Sequence, residues 1–367
     1  MRGHFRVLML AIVTLALLVL PAPTPAAAET VNIYSWAGYV SEAAIAEFEK
    51  ETGIDVNYDT FDSLEALETK MLTGKSGYDV IFPSGPVLER LRKLKLLAPL
   101  DKSQIPNWAG LDPVILEKLS AHDPGNAYGA AYMWGTIGIG YNADAVKSRL
   151  PDAPLDSLAL LFDPANAGKL ADCGIGILDS PSEVLAIVLN YLGLPTDTGD
   201  EAQMNKAKDL VLGVRKHIRN IRNDNTVDAL GSGEVCLQFA YGPDVFAAMT
   251  AAAEGNTGAK IEYFIPKEGT IAFFDSMAIP EDAPNKAGAH RFIDFLLRPK
   301  VMAESSDMTH AANAVPASRP MMNQEIANNL TLYPPEDIMR KLLADKSVPD
   351  DVARLRTRAW ADIRAGQ

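Results

Sequence analysis

Apolar positions near the start of the chain alternate between the spacing of a strand and that of a helix. Residues 31–34 predict a strand, and Ser41 caps a predicted helix that ends at Gly53. Strands predicted at 54–58 and 78–82 enclose a second helix. Repeated strand–helix units with short loops predict a largely parallel sheet covered by helices on both faces.

The rest of the chain continues with the same kinds of element, and Pro181 fits the first turn of a helix. The remaining predicted strands lie at 175–178, 235–240, 261–265 and 271–279. The remaining predicted helices lie at 88–94, 184–191, 245–253, 287–297, 301–309, 335–343 and 350–363. A chain of 367 residues is long for a single core, so two α/β lobes are the simplest packing.

Several aromatic and acidic side chains follow directly after predicted strands. Ligands of open α/β sheets bind beyond the carboxyl ends of the strands, which makes these positions the candidate site. The residues in question are Trp36, Tyr39, Ser84, Asp179, Glu183, Tyr241, Asp244, Phe273, Phe274 and Asp275.

The first 28 residues have the order of a secretory signal peptide. Arg2 and Arg6 precede an apolar run at 7–20, and small residues at 26–28 form an A-x-A cleavage pattern. A membrane anchor is the alternative, but the run is shorter than the roughly 18 residues that span a bilayer. We therefore expect export from the cytoplasm with cleavage near Ala28.

Composition narrows the class of partner. The chain is 48% hydrophobic and 22% charged, which is typical of a globular protein. Its formal net charge is −13 and no Lys/Arg-rich tract interrupts the acidity. A nucleic-acid or anionic membrane surface is therefore disfavoured.

Cys173 and Cys236 are the only cysteines. An oxidising compartment favours a disulfide between them, and two buried free thiols are the alternative. The cysteines and scattered histidines do not form a metal-ligand pattern, so no metal is expected.

Enzyme motifs are mostly missing. The segment 74–76 reads Gly-Lys-Ser, but a phosphate-binding loop needs a glycine where Thr69 stands. The segment 138–143 matches a relaxed dinucleotide pattern but falls inside a predicted strand. The chain contains neither G-x-S-x-G nor H-E-x-x-H. We expect no cofactor and no catalysis, although paired acids such as Glu183 and Asp275 leave a secreted hydrolase as one hypothesis.

Aromatic and acidic residues together suit a cationic organic ligand. Ring faces attract an ammonium group, and a buried ammonium needs a carboxylate partner. The same arrangement disfavours anions and sugars.

The chain resembles the periplasmic polyamine-binding proteins that feed bacterial ABC importers, in particular their putrescine-binding branch. The resemblance extends from about Val31 to the C-terminus. It rests on stretches in one order, among them FEKETGI at 48–54, LDP at 111–113, YMW at 132–134, GIGYN at 138–142, FFD at 273–275, YPP at 333–335 and RTRAW at 356–360.

The resemblance implies a two-lobed fold with hinge crossings and a ligand cleft between the lobes. Lobe one would comprise residues 29–135 and 273–319, and lobe two residues 136–272 and 320–367. It also implies a disulfide between Cys173 and Cys236. The implied partners are a polyamine and an inner-membrane ABC permease, and the implied oligomeric state is a monomer.

The resemblance also implies the ligand contacts. The aromatic box falls on Trp36, Tyr39, Tyr241 and Phe273, the carboxylates on Glu183, Asp244 and Asp275, and a polar contact on Ser84.

Three positions depart from the family pattern. Gly38 replaces an acid, Tyr241 replaces a tryptophan, and His310 replaces a tyrosine. We expect His310 to be neutral or turned away from a dication. The departures leave the exact amine open among putrescine, spermidine, cadaverine, agmatine and a capped amine. An amino-acid derivative is a further alternative.

Overall fold

The computed structural model describes residues 29–367, so the predicted signal peptide at 1–28 lies outside the described residues. No helix in this part of the chain is both long and apolar enough to cross a membrane.

Twelve strands of residues 29–367 form the sheet framework. They are β1 Thr30–Trp36, β2 Asp55–Phe61, β3 Val80–Ile81, β4 Leu97–Ala98, β5 Gly129–Asn142, β6 Ile175–Ile177, β7 Asn220–Ile221, β8 Leu237–Tyr241, β9 Ile261–Phe264, β10 Ile271–Pro280, β11 Ala312–Asn313 and β12 Leu343–Ala344.

The strand order is β2-β1-β3-β10-β5-β8-β6-β7, with β4 and β12 paired to β10 and with β9 and β11 paired to β5. The outer strands are parallel: β1 pairs with β2 and β3, and β6 pairs with β7 and β8. The central pairs β3–β10, β10–β5 and β5–β8 are antiparallel. The expectation of a largely parallel sheet is therefore wrong at its centre. Hydrophobic spacing specifies a strand but not its direction.

Helices cover the sheet. They are α1 Glu42–Thr52, α2 Leu64–Leu72, α3 Gly85–Lys93, α4 Pro113–Leu119, α5 Ala143–Arg149, α6 Ala159–Phe162, α7 Pro164–Leu170, α8 Pro181–Tyr191, α9 Glu201–Arg215, α10 Thr226–Gly231, α11 Gly242–Glu254, α12 Lys286–Leu296, α13 Pro299–Thr309, α14 Gln324–Ala327, α15 Glu336–Met339 and α16 Asp350–Ala365.

Helix ends follow local sequence chemistry. The Ser41 hydroxyl accepts the Ala44 N–H at 3.0 Å at the start of α1, and Gly53 ends that helix with a left-handed φ of 70°. The predicted helix at 335–343 is wrong in its second half. The chain there forms the short α15 and then β12, because Leu343 pairs with Ile271 of β10.

Two large hydrophobic cores correspond to two lobes. One core surrounds β1–β4 and the other surrounds β6–β8, with a third cluster of buried side chains around α11 and β9. The two long strands belong to both cores: Trp134 of β5 lies in the first core and Ile137 in the second. On β10, Ile271 lies in the second core and Ala272 in the first. The exact lobe bounds stay a prediction.

The two cysteines are joined, which excludes free thiols. Cys173 and Cys236 form a disulfide with Cα atoms 5.5 Å apart, linking the segment before β6 to the start of β8.

Candidate functional site

Asp275 lies at an irregularity in β10. The register with β5 shifts between Phe274 and Ser276, so Asp275 occupies a β-bulge, a device that re-aims a side chain. Its backbone forms an isolated bridge with Ser84, which follows β3. The Tyr39 hydroxyl, from the loop after β1, donates to Asp275 Oδ2 at 2.5 Å. Three segments that are distant in sequence therefore meet at one carboxylate.

The carboxyl group of Asp275 is largely shielded from solvent, since Asp275 is only 6% exposed. Burial raises the pKa of Asp275, the Tyr39 hydrogen bond opposes the rise and the charge of Glu183 adds to it, with a net value of about 7. At neutral pH this group is poised between its neutral and charged forms.

Glu183 lies in the first turn of α8, a helix that packs in the second core, whereas Phe274 beside Asp275 lies in the first core. Pro181 occupies the first position of that helix, as predicted. The Ser180 hydroxyl donates to Glu183 Oε2 at 2.6 Å and the Tyr241 hydroxyl donates to the same oxygen at 2.5 Å. Burial raises the pKa of Glu183, and these two hydrogen bonds counteract it.

The start of α11 adds an aromatic ring and a third acid. Tyr241 is the N-cap residue of α11, and Asp244 lies in the first turn. Burial raises the pKa of Asp244 to about 6. The Tyr241 ring meets the Phe273 ring edge to face, with centroids 5.6 Å apart. This ring pair joins α11 to β10.

The absence of a side chain at Gly135 makes room for the Phe273 ring. Gly135 of β5 pairs with Phe273, and a Cβ at Gly135 would lie 2.6 Å from the Phe273 ring. Glycine is therefore required if the ring is to keep this position.

The structure joins seven of the nine predicted ligand-binding residues by direct contacts or by the mutual influence of their charges. They are Tyr39, Ser84, Glu183, Tyr241, Asp244, Phe273 and Asp275. No Lys or Arg among the described residues forms an ion pair with the three acids of this set. We call this set the carboxylate–aromatic cluster.

Among the described residues, no hydrogen bond or ring pair joins Trp36 to this cluster. It packs on Phe61 with ring centroids 4.5 Å apart and lines a separate, open cavity of about 520 Å³ together with Tyr34 and Asp62.

His310 contacts α11, the helix that carries Asp244, through Thr250 and not through a cluster residue. It ends α13 in the left-handed conformation, and its Nε2 is 3.3 Å from the Thr250 hydroxyl. Burial lowers the pKa of His310, which favours the neutral ring at neutral pH.

Asp179 has structural partners. It accepts the Trp360 indole N–H at 2.6 Å and pairs with Arg364 at 3.0 Å. It therefore braces α16 and is not a member of the cluster.

Sequence reasoning missed Asp345 and Arg356. Asp345 follows β12, and its charge raises the pKa of Tyr241. Arg356 of α16 is only 3% exposed and donates to the backbone oxygen of Ser182, the residue before Glu183. Neither residue follows a predicted strand. Asp345 follows β12, which the apolar spacing predicts as the end of a helix, and Arg356 lies inside α16.

Comparisons with known proteins agree with one family. The family model described as bacterial extracellular solute-binding protein matches residues 43–332. The chain is 43% identical over 341 residues to the putrescine-binding periplasmic protein PotF of Escherichia coli (strain K12), covering 92% of each protein. It is 40% identical over 340 residues to the putrescine-binding periplasmic protein SpuD of Pseudomonas aeruginosa (strain UCBPP-PA14), covering 92% of this chain and 93% of the relative.

Solved structures show the same architecture. A putative spermidine/putrescine ABC transporter protein from Listeria monocytogenes superposes with a TM-score of 0.81 at 29% identity, over 92% of this chain and 100% of that one. The spermidine/putrescine ABC transporter substrate-binding protein PotD from Streptococcus pneumoniae superposes with a TM-score of 0.79 at 25% identity, over 92% and 99%.

Proposed function

The chain belongs to the bacterial extracellular solute-binding protein family, and from this premise we propose that it captures a polyamine in the periplasm and delivers it to an ABC transporter permease. The names of its relatives point to putrescine and spermidine as the ligand class. The protein acts as a monomeric receptor and performs no chemistry on its ligand.

One observation carries the proposal. Asp275, Glu183 and Asp244 are carboxyl groups from both lobes, each with a pKa raised by burial, and none has a cationic partner among the described residues. Burying a charged carboxylate costs free energy unless a cationic group pairs with it. An alkyldiammonium ligand supplies that charge and pairs with acids of both lobes at once, which favours the closed arrangement.

The aromatic residues suit the carbon chain of such a ligand. Tyr241 and Phe273 form a ring pair at the contact between the lobes, and Tyr39 stands beside Asp275. A ring face over a cation contributes roughly 0.5–2 kcal/mol, and more where water is excluded. The buried Ser84 hydroxyl makes no hydrogen bond to any residue that the structure describes, so it can bind an ammonium group.

The lobe connections suit a hinged trap. β5 and β10 each pass from one core to the other, so the lobes can rotate about these two strands. Closure around the ligand would present one assembled surface to the permease.

An amino-acid derivative fits less well. Its carboxylate would need a free cation, but the buried Arg356 donates to the backbone oxygens of Ser182 and Thr196. A hydrolase fits less well too, because Glu183 and Asp275 are each engaged by a tyrosine hydroxyl.

Isothermal titration of residues 29–367 at pH 7.5 tests the proposal with putrescine, cadaverine, agmatine and spermidine, and with glutamate as the anionic control. We expect a stoichiometry of one ligand per chain for at least one amine and no heat with glutamate. Asp275→Asn should weaken binding strongly, whereas Asp172→Asn, which removes a surface acid paired with Arg149, should not. The absence of binding to every polycation at millimolar ligand would reject the function.

A further inference from the structure

Arg356 is a buried cation placed directly behind the Glu183 end of the cluster. Its Nη2 donates to the Thr196 oxygen at 2.6 Å and its Nη1 to the Ser182 oxygen at 3.3 Å. Its Nε is buried and has no acceptor among the described residues. Burial lowers the pKa of Arg356, but a guanidinium stays protonated at neutral pH, so a positive charge lies beside the Ser182 carbonyl that precedes Glu183.

Asp345 lies within electrostatic range of both Arg356 and two members of the cluster, Glu183 and Tyr241. β12 pairs in parallel with β10 so that Ala344 is opposite Ala272, which brings Asp345 level with Phe273. Arg356 lines a small cavity together with Ala344 and Lys346, the two residues that flank Asp345.

The charges around this carboxylate come from several elements. Burial and the charge of Glu183 raise the pKa of Asp345 and the charge of Arg356 lowers it, with a net value of about 7. Glu65 of α2 adds negative charge on the Glu183 side. Lys346 is engaged by Asp197 at 2.9 Å. Arg356 is thus the buried cation that offsets the Asp345 carboxylate, while Glu183 keeps no cationic partner among the described residues.

We propose that Arg356, acting through Asp345 and Glu183, sets how many positive charges the ligand must bring to this end of the cleft. Arg356 is a positioning residue that does not itself touch the ligand. With Arg356 in place, one of the two acids is already offset, which favours a ligand with one ammonium group at this end. Without its charge, a ligand with an additional ammonium group becomes preferred. The inference rests on the proposed function.

The test compares the dissociation constants of putrescine, with two charges, and spermidine, with three, by titration calorimetry at constant ionic strength. Arg356→Gln should shift the ratio of the two constants toward spermidine by about tenfold, the effect of one unit charge in a partly buried site. Arg356→Lys keeps the charge and should keep the wild-type ratio. Asp345→Asn should shift the ratio toward putrescine by about tenfold, and the double variant should return to the wild-type ratio.

Arg298→Gln is the matched control, because Arg298 pairs with Glu51 on the surface at 2.6 Å, and its ratio should not change. If Arg356 only braced α8, Arg356→Gln would weaken both ligands by the same factor and leave the ratio unchanged, which overturns the inference. If Arg356→Gln does not fold, an unchanged ratio in Asp345→Asn overturns it. Failure of the wild-type protein to bind either amine would instead reject the proposed function.

Discussion

Replacing Asp275 by asparagine separates the effect of the buried charge on protein stability from its effect on ligand binding. The substitution keeps the shape of the side chain, and its oxygen can still accept the Tyr39 hydroxyl. It removes only the charge. We therefore expect opposite effects on the stability of the ligand-free protein and on its affinity for a diamine.

The magnitude follows from the pKa. The ordinary value of 3.8 is raised to about 7 in the folded protein, which corresponds to about 4 kcal/mol. The folded state binds a proton more tightly than the unfolded state, so this group destabilises the ligand-free protein progressively as the pH rises from about 4 to 7. Asp275→Asn should thus be more stable than the wild type by up to about 4 kcal/mol at pH 8 and by less than half of that at pH 5.

Affinity should change in the other direction. Loss of one member of a buried charge pair costs about 2–5 kcal/mol, so the dissociation constant for putrescine should rise by at least thirtyfold or so. Urea denaturation of the ligand-free proteins at pH 5 and pH 8 measures the stability, and titration calorimetry measures the affinity. A ligand-free variant that is less stable than the wild type at pH 8, or one with unchanged affinity, would refute the reasoning.

Three further outcomes are expected. Diamine affinity should increase between about pH 5.5 and pH 7.5, with protons released on binding below pH 7, because an ammonium group favours the charged form of acids whose pKa is raised to about 6 and about 7. Calorimetry in buffers of different ionisation heat detects the released protons, and an affinity that does not change with pH would contradict this prediction. Tyr241→Phe removes the donor to Glu183 and should weaken binding about tenfold in the same titration, since a hydrogen bond to a charged group contributes about 1.5–3 kcal/mol. Gly135→Ala should displace the Phe273 ring and lower both affinity and melting temperature, whereas Gly110→Ala, where a Cβ meets nothing within 4 Å, should retain wild-type affinity.

Local elements were predictable because their determinants lie within one turn of chain. The Ser41 cap, the left-handed Gly53 and Pro181 at the first position of α8 all occur where the pattern placed them. The antiparallel centre of the sheet was not predictable in the same way. Strand direction depends on a partner that is distant in sequence, and apolar spacing is the same for both directions.

The candidate site was partly predictable. The rule that ligand-binding residues follow strands predicts Tyr39, Glu183 and Asp275 from the sequence alone. That rule could not find Asp345 or Arg356, because the first follows a strand of only two residues and the second is a buried charge inside a helix. The same rule included Asp179, whose partners Trp360 and Arg364 lie on α16.

By itself the amino-acid sequence determined the family, most helices and strands, and which aromatic and acidic side chains could contact a ligand. Tertiary structure decided which of these meet. The bulge that turns Asp275 toward Tyr39, the meeting of Glu183 with Tyr241, and the place of Arg356 behind them all depend on pairing between distant segments. The raised pKa values follow from that assembly, because an acid becomes costly to ionise only once surrounding segments exclude water from it.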